Sequence, residues 1–185
     1  KFDNFTVPPT LTQEYDIASK VLAILCRCFK RVLVMGGNHD YRLQRYMKGN
    51  LNVSWIYQNL CRANNFEYTP CNRIEVGDDL IICHPAGSFS RVRAKVPANI
   101  SLKYGKSVMS GHTHHGGIVV SDNKQFWASE PGAMLDSSKL EYYHRYLNNS
   151  PDFINGFAVV LPDKNGKPKP LTFIEGITDW DSWLS

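Results

Sequence analysis

The sequence predicts a mixed α/β fold in a single domain spanning residues 1–185. Three observations carry that prediction. A helical apolar period over residues 11–30 stops just before a short, partly β-branched run, Val32–Met35, and that run enters a glycine turn. Helix, strand and glycine turn in that order make one α/β layer. Beyond residue 70 the apolar segments become short and are separated by turn residues, which is a β pattern. A chain of 185 residues is long enough to bury a sizeable core.

The elements follow in order. Thr10 and Gln13 form a capping-box signature. Behind it Leu11, Tyr15, Ala18, Val21, Leu22, Leu25 and Phe29 recur at helical spacing. Val32–Met35 suits a buried strand, and residues 54–64 carry a second helical pattern. Short strands are predicted over 73–76, 80–83 and 108–110, with Gly77, Asp78 and Asp79 making the turn between the first two. Residues 117–120 and 125–128 flank the turn sequence Ser121 to Lys124. Residues 157–161 and 171–174 flank Asp163 to Lys167, and both pairs read as hairpins. Residues 140–147 read as a helix. The first half is thus α/β and the second mostly β.

Hydrophobic residues make up 43% of the chain and charged residues 21%, proportions of a globular rather than a disordered protein. No apolar run reaches the length of a membrane span. The opening KFDNFTVPPT has neither the basic start nor the apolar core of a secretory signal. A cytoplasmic location with no membrane partner is the expectation. Cys26, Cys28, Cys61, Cys71 and Cys83 are odd in number and include no Cys-x-x-Cys pair, so reduced, mostly buried thiols are expected. On that reading the sequons at Asn4, Asn52, Asn99 and Asn148 are chance matches.

The net charge of +4 is mild, but its distribution is not. Leu80 through Ser121 contains no Asp or Glu, yet holds Arg91, Arg93, Lys95, Lys103 and Lys106 with His84, His112, His114 and His115. Such a window favours an anionic partner, phosphate above all. A solvated basic face is the plain alternative.

Three of the predicted strands end alike. Val32–Met35 runs into Gly36, Gly37, Asn38, His39 and Asp40. The strand at 80–83 runs into His84, Pro85, Ala86 and Gly87. The strand at 108–110 runs into Gly111, His112, Thr113, His114, His115 and Gly116. In α/β sheets, ligands bind outside the carboxyl ends of strands, and imidazole and amide groups suit Zn, Mn, Fe or Ni. Singly, each piece has an ordinary reading: a hydrogen-bonded histidine, a chance His-x-His, a turn led by Asn38. Together they point to a shared metal site.

The stretch from Gly37 to Asp40, the strand-end His84 and the stretch from Gly111 to His114 resemble the last three motifs of the calcineurin-like metallophosphoesterases, in order and in separation. Ser129 to Ala133 resembles the Asn-Pro-Gly-Ser turn of many members, with Glu130 in place of Asn and Ala133 in place of Ser. The resemblance implies a two-sheet αββα sandwich. It implies phosphoester hydrolysis at a centre of two divalent ions drawn from Mn, Zn, Fe, Ni or Mg; the acid-free basic window fits a phosphodiesterase or nuclease, while a protein phosphatase or a small-molecule phosphodiesterase stays open. Asn38, His84 and His112 would ligate one ion and His114 the other. His39 would contact the phosphate and help the leaving group depart, with Asp40 orienting its imidazole. Arg42, Arg91 and Arg93, with Arg45, are candidate phosphate contacts. Tyr41 and Phe89 are candidate stacking partners for a nucleotide or nucleic acid.

The family's first two motifs, Asp-x-His and Gly-Asp-x-x-Asp, are not complete in this chain. Lys1, Phe2 and Asp3 would continue the second if Gly-Asp stood just before Lys1. The expectation is that an upstream segment or a partner chain supplies the first strands and the bridging carboxylate, and that this chain alone is impaired. The alternative is a catalytically incomplete binding module or subunit on the same fold. The reading frame upstream of Lys1 separates the two.

Overall fold

The computed structural model describes residues 10–135 and 153–174. The fold is mixed α/β, and the chain forms two compact units, Lys1–Asn72 and Arg73–Ser185, a division the single-domain expectation does not draw. The helix expected at 140–147 lies outside the described residues.

In the first unit the elements are helix α1 (Leu11–Cys28), strand β1 (Val32–Met35), helices α2 (Asn38–Tyr46) and α3 (Val53–Leu60), and strand β2 (Phe66–Thr69). The expected capping box starts α1. Thr10 N–H donates to Gln13 Oε1 at 2.8 Å, and Thr10 Oγ1 accepts from Gln13 N–H at 3.3 Å. The Asn65 side-chain amide donates to the carbonyls of Cys26 and Phe29, both at 2.8 Å. It thereby satisfies acceptors that the end of a helix leaves open. Strands β1 and β2 pair in parallel, from Val32 opposite Phe66 to Met35 opposite Thr69. Leu22, Leu60 and Cys61 form the buried centre, with Val34, Ile56 and Phe66 packed around it. Among the described residues no strand lies on the second edge of β1. Ile17, Val21 and Ile24 of α1 and Leu33 of β1 are exposed.

The second unit holds β3 (Arg73–Val76), β4 (Leu80–Cys83), helix α4 (Lys95–Tyr104), β5 (Ser107–Ser110), β6 (Gly116–Val120), β7 (Trp127–Pro131), β8 (Gly156–Pro162) and β9 (Pro168–Ile174). Five strands make one sheet in the order β3-β4-β5-β7-β6, and β8-β9 is a hairpin. β4, β5 and β7 run parallel, while β3 and β6 are antiparallel edge strands. The α4 crossover between β4 and β5 is the connection a parallel pair requires. Ile81, Cys83 and Val108 form the core, with Ile100 of α4 packed on them. The β8-β9 hairpin is tied to β7: the Trp127 indole N–H donates to the Pro168 carbonyl at 2.7 Å, and Ser129 Oγ lies 3.4 Å from Thr172 Oγ1.

Candidate functional site

In the first unit the polar triplet after β1 is not a loop. Asn38, His39 and Asp40 form the first turn of α2, with Gly37 as the N-cap. Asp40 holds this turn in place. Its Oδ2 accepts from Gly37 N–H at 2.7 Å and its Oδ1 from the Tyr57 hydroxyl at 3.0 Å. A carboxylate in the first turn also complements the helix dipole. Gly36 leaves room here, because a Cβ would lie 2.6 Å from the Tyr68 hydroxyl oxygen and 2.8 Å from that of Tyr41, and both hydroxyls would have to move. Tyr57 stacks on Tyr68 with ring centroids 4.4 Å apart. Burial, and then the neighbouring Asp40 carboxylate, push the Tyr57 phenol well above the ordinary tyrosine range. His39 is exposed, while Asn38 and Asp40 are half-buried. Asp40 thus bonds Gly37 and Tyr57, a structural part that the expected orienting of His39 does not include. A cavity of about 740 Å³ lies among the three helices of this unit, walled by Tyr15, Leu43, Tyr46 and Trp55, with His39 and Arg42 also lining it.

In the second unit, parallel pairing determines what converges. β4 and β5 are in register from Leu80 opposite Ser107 to Cys83 opposite Ser110. The residues that follow therefore emerge side by side at the carboxyl end of the sheet. His84 Nε2 and His112 Nδ1 lie 3.2 Å apart, with ring planes at 68°. His112 and His114 both have left-handed backbones, at φ 86° and φ 62°. Non-glycine residues enter that region at a cost and cluster there at ligand clamps. The His114 carbonyl accepts from Ile154 N–H at 3.1 Å, and its ring meets Phe153 edge-on at 4.9 Å. His115 is buried between Phe89 and Phe153. Cys83, beside His84, has its thiol pushed up to about 11 by burial, against the opposing pull of Arg73. It stays protonated at neutral pH.

The two rings are at hydrogen-bond distance, one nitrogen donating and the other accepting, and the same spacing fits a shared metal. Two imidazole nitrogens bound tetrahedrally to one zinc at about 2.0–2.1 Å sit about 3.3 Å apart, close to the 3.2 Å found between His84 and His112. Among the described residues no cluster of three or more His, Cys, Asp or Glu side chains forms a candidate metal cage. The structure thus brings His84 and His112 together and places His114 on the same loop as His112. Asn38, His39 and Asp40 belong to the other unit.

The basic residues divide. Arg91 is exposed. Arg93 Nη1 donates to the Gly116 carbonyl at 3.0 Å, and Lys106 Nζ reaches Glu75 at 2.6 Å. Glu75 comes from β3, so the acid-free window in the sequence is not acid-free in space. In the sequence Glu130 is a departure from a motif and, with Asp3 and Asp122, a carboxylate that could complete a metal site within this chain. The structure buries it at 2% exposure on β7, with Oε2 accepting from Ala94 N–H at 2.8 Å. Its only sequence signal is a charge in an otherwise uncharged run.

No protein-family model, no curated protein and no solved structure matches this chain.

Proposed function

We propose that this chain carries part of a di-metal phosphoester hydrolase centre, acting as a phosphodiesterase or nuclease. The observation that carries the reading is the His84–His112 pair, whose ring nitrogens face each other at 3.2 Å from adjacent parallel strand ends. His84 and His112 would hold one divalent ion and His114 a second. Bound divalent ions supply Lewis-acid polarisation of a phosphoryl oxygen and water acidified toward neutral pH. The chain's own groups supply the rest. His39, at the exposed start of α2, gives its proton to the departing alkoxide. Asp40 holds that helical turn through Gly37 and Tyr57. Arg91 and Arg42 are the candidate phosphate contacts; the first unit's own cavity, about 740 Å³, has His39 and Arg42 in its lining and is of a size that accepts a planar group such as a nucleoside.

The remaining ligands and a bridging carboxylate are what the resemblance assigns to strands beyond those described. A second reading, a binding module on the same fold, draws on the absence of a three-ligand cluster among the described residues. Metal titration combined with hydrolysis of an aryl phosphodiester, with and without the upstream segment, tests both. Metal binding that is lost in His112→Ala, with turnover restored by the added segment, supports the hydrolase. Metal binding without turnover in either form supports the module, and no binding in either form overturns both metal roles. In the complete enzyme His39→Ala should slow substrates with poor leaving groups by about 10²–10⁴-fold and an activated aryl ester less. Equal losses on both would mean that His39 stabilises phosphoryl charge instead.

A further inference from the structure

Glu130 has no part in that chemistry, yet it is a carboxylate at 2% exposure in the interior of a sheet. A buried charge is costly unless it is tied into its surroundings. Its Oε2 accepts from Ala94 N–H. Ala94 is the N-cap of α4, has φ 55°, and provides no side-chain cap. Glu130 therefore caps α4 from β7 through Oε2, while its buried Oε1 has no hydrogen-bond partner among the described residues.

The same place is tightened from a second side. Gly117 is the β6 residue paired with Glu130. A Cβ on Gly117 would lie 3.0 Å from Arg93 Cβ and 3.6 Å from Ala94 N, so the turn at Arg93 and Ala94 rests directly on the bare backbone. The Arg93 guanidinium then closes the contact on the Gly116 carbonyl. Glu130, Gly117 and Arg93 thus join the end of the segment that begins at His84 to the end of the segment that carries His112 and His114. Strained backbone such as that of His112 and His114 persists only where its surroundings over-determine it. One end of the His112 loop is held by β5 and the other by the pairing of β6 with β7. Glu130 and its partners fasten that second end to the Arg93–Ala94 turn.

We infer that Glu130 is a positioning residue for the His84–His112 pair: by clamping the Arg93–Ala94 turn onto Gly116 and Gly117 it holds the two imidazoles at ligand spacing for one divalent ion. This rests on the metal reading above. It extends that reading to a residue that touches neither ion nor substrate.

The test uses the full chain in four forms: wild type, Glu130→Ala, Glu130→Asp and Glu130→Gln. Gln keeps an acceptor oxygen for Ala94 N–H, Asp keeps the charge but withdraws the oxygen, and Ala removes both. Co(II) is titrated and followed by its visible absorption. The imidazole ¹⁵N resonances of His84 and His112 are recorded without metal, and the melting temperature reports the fold. The expected result is a loss of about 10–100-fold in Co(II) affinity for Ala and Asp and of under about threefold for Gln, as for other groups that orient ligands. The metal-free resonances should shift in Ala and Asp but not in Gln. Because Asp retains the charge and nearly the volume, it serves where Ala fails to fold. Unchanged Co(II) affinity and unchanged resonances in a folded Asp or Ala variant, whatever the melting temperature, overturn the inference. Resonance shifts in a protein that binds no Co(II) uphold the positioning role and overturn the metal reading instead.

Discussion

At the scale of single residues, the first unit turns on a group of phenols around one carboxylate. Tyr57 donates to Asp40 Oδ1 and stacks on Tyr68, and Gly36 leaves room for the hydroxyls of Tyr41 and Tyr68. The folded state raises the Tyr57 pKa above its ordinary value of 10.0, chiefly by burial. The sign follows by linkage. A group whose pKa is raised on folding contributes fully below the unfolded value and loses that contribution as pH climbs toward the folded one. Stability should therefore be flat in this respect up to about pH 10 and fall above it. Urea midpoints measured across that range should decline, and Tyr57→Phe should flatten the decline while lowering the midpoint at neutral pH. An unchanged alkaline slope in the variant would place the titration elsewhere. The phenol group was not legible in the sequence, because Tyr41, Tyr57 and Tyr68 are far apart in the chain and only the crossover from β1 to β2 gathers them.

Elements were legible where local chemistry alone decides them. The strands β3 and β4 occupy the expected residues because Gly77, Asp78 and Asp79 punctuate two apolar runs. The start of α1 is as expected because Thr10 and Gln13 cap each other. Thr10→Ala should cost about 1 kcal/mol, read as a lower urea midpoint; a change within error would mean that the apolar face of α1 alone decides its start. α2 lacks an apolar stripe and begins at Asn38 because Gly37 and Asp40 cap it. The sequence pattern predicts neither α4 nor β2; α4 contains Pro97, which a first turn tolerates. β7 runs through Ser129 and Glu130 to Pro131 rather than stopping at Ala128, since polar residues inside a central strand give no strand signal. The candidate site was legible in part: the strand-end rule places His84 beside His112, whereas nothing in the sequence joins Glu130 to Ala94.

The whole molecule is two units with separate cores. Ile81, Cys83, Val108 and Ile100 belong entirely to the second, which also anchors its own hairpin through Trp127 and Pro168. The first has a smaller buried centre around Leu22, Leu60 and Cys61, and leaves Ile17, Val21 and Ile24 exposed. Small units bury too little surface to be robust. Residues 73–185 expressed alone should give a cooperative urea transition with native-like circular dichroism, whereas residues 1–72 alone should be marginal or associate. The reverse result would put the stability of the chain in its helical unit. None of the helices among the described residues is long and apolar enough to cross a membrane.

The contact between Cys26 and Cys61 has a consequence for handling the protein. Their sulfurs lie 3.7 Å apart, and burial followed by the neighbouring thiol raises the Cys26 pKa. A protonated thiol is a poor nucleophile, so oxidation at neutral pH is slow. It is not forbidden, because a modest approach brings the sulfurs to the bonding distance of about 2.05 Å. The resulting cross-link would span 35 positions and, on chain-entropy grounds, restrict the unfolded chain by about 4 kcal/mol. Protein stored in air without reductant should slowly split into two populations, the second lighter by two hydrogens, joined between those two cysteines and melting later. Peptide mapping after prolonged storage reads this directly. Failure of the lighter species to form, even with an added oxidant, would mean that the helix packing holds the sulfurs too rigidly to close the gap.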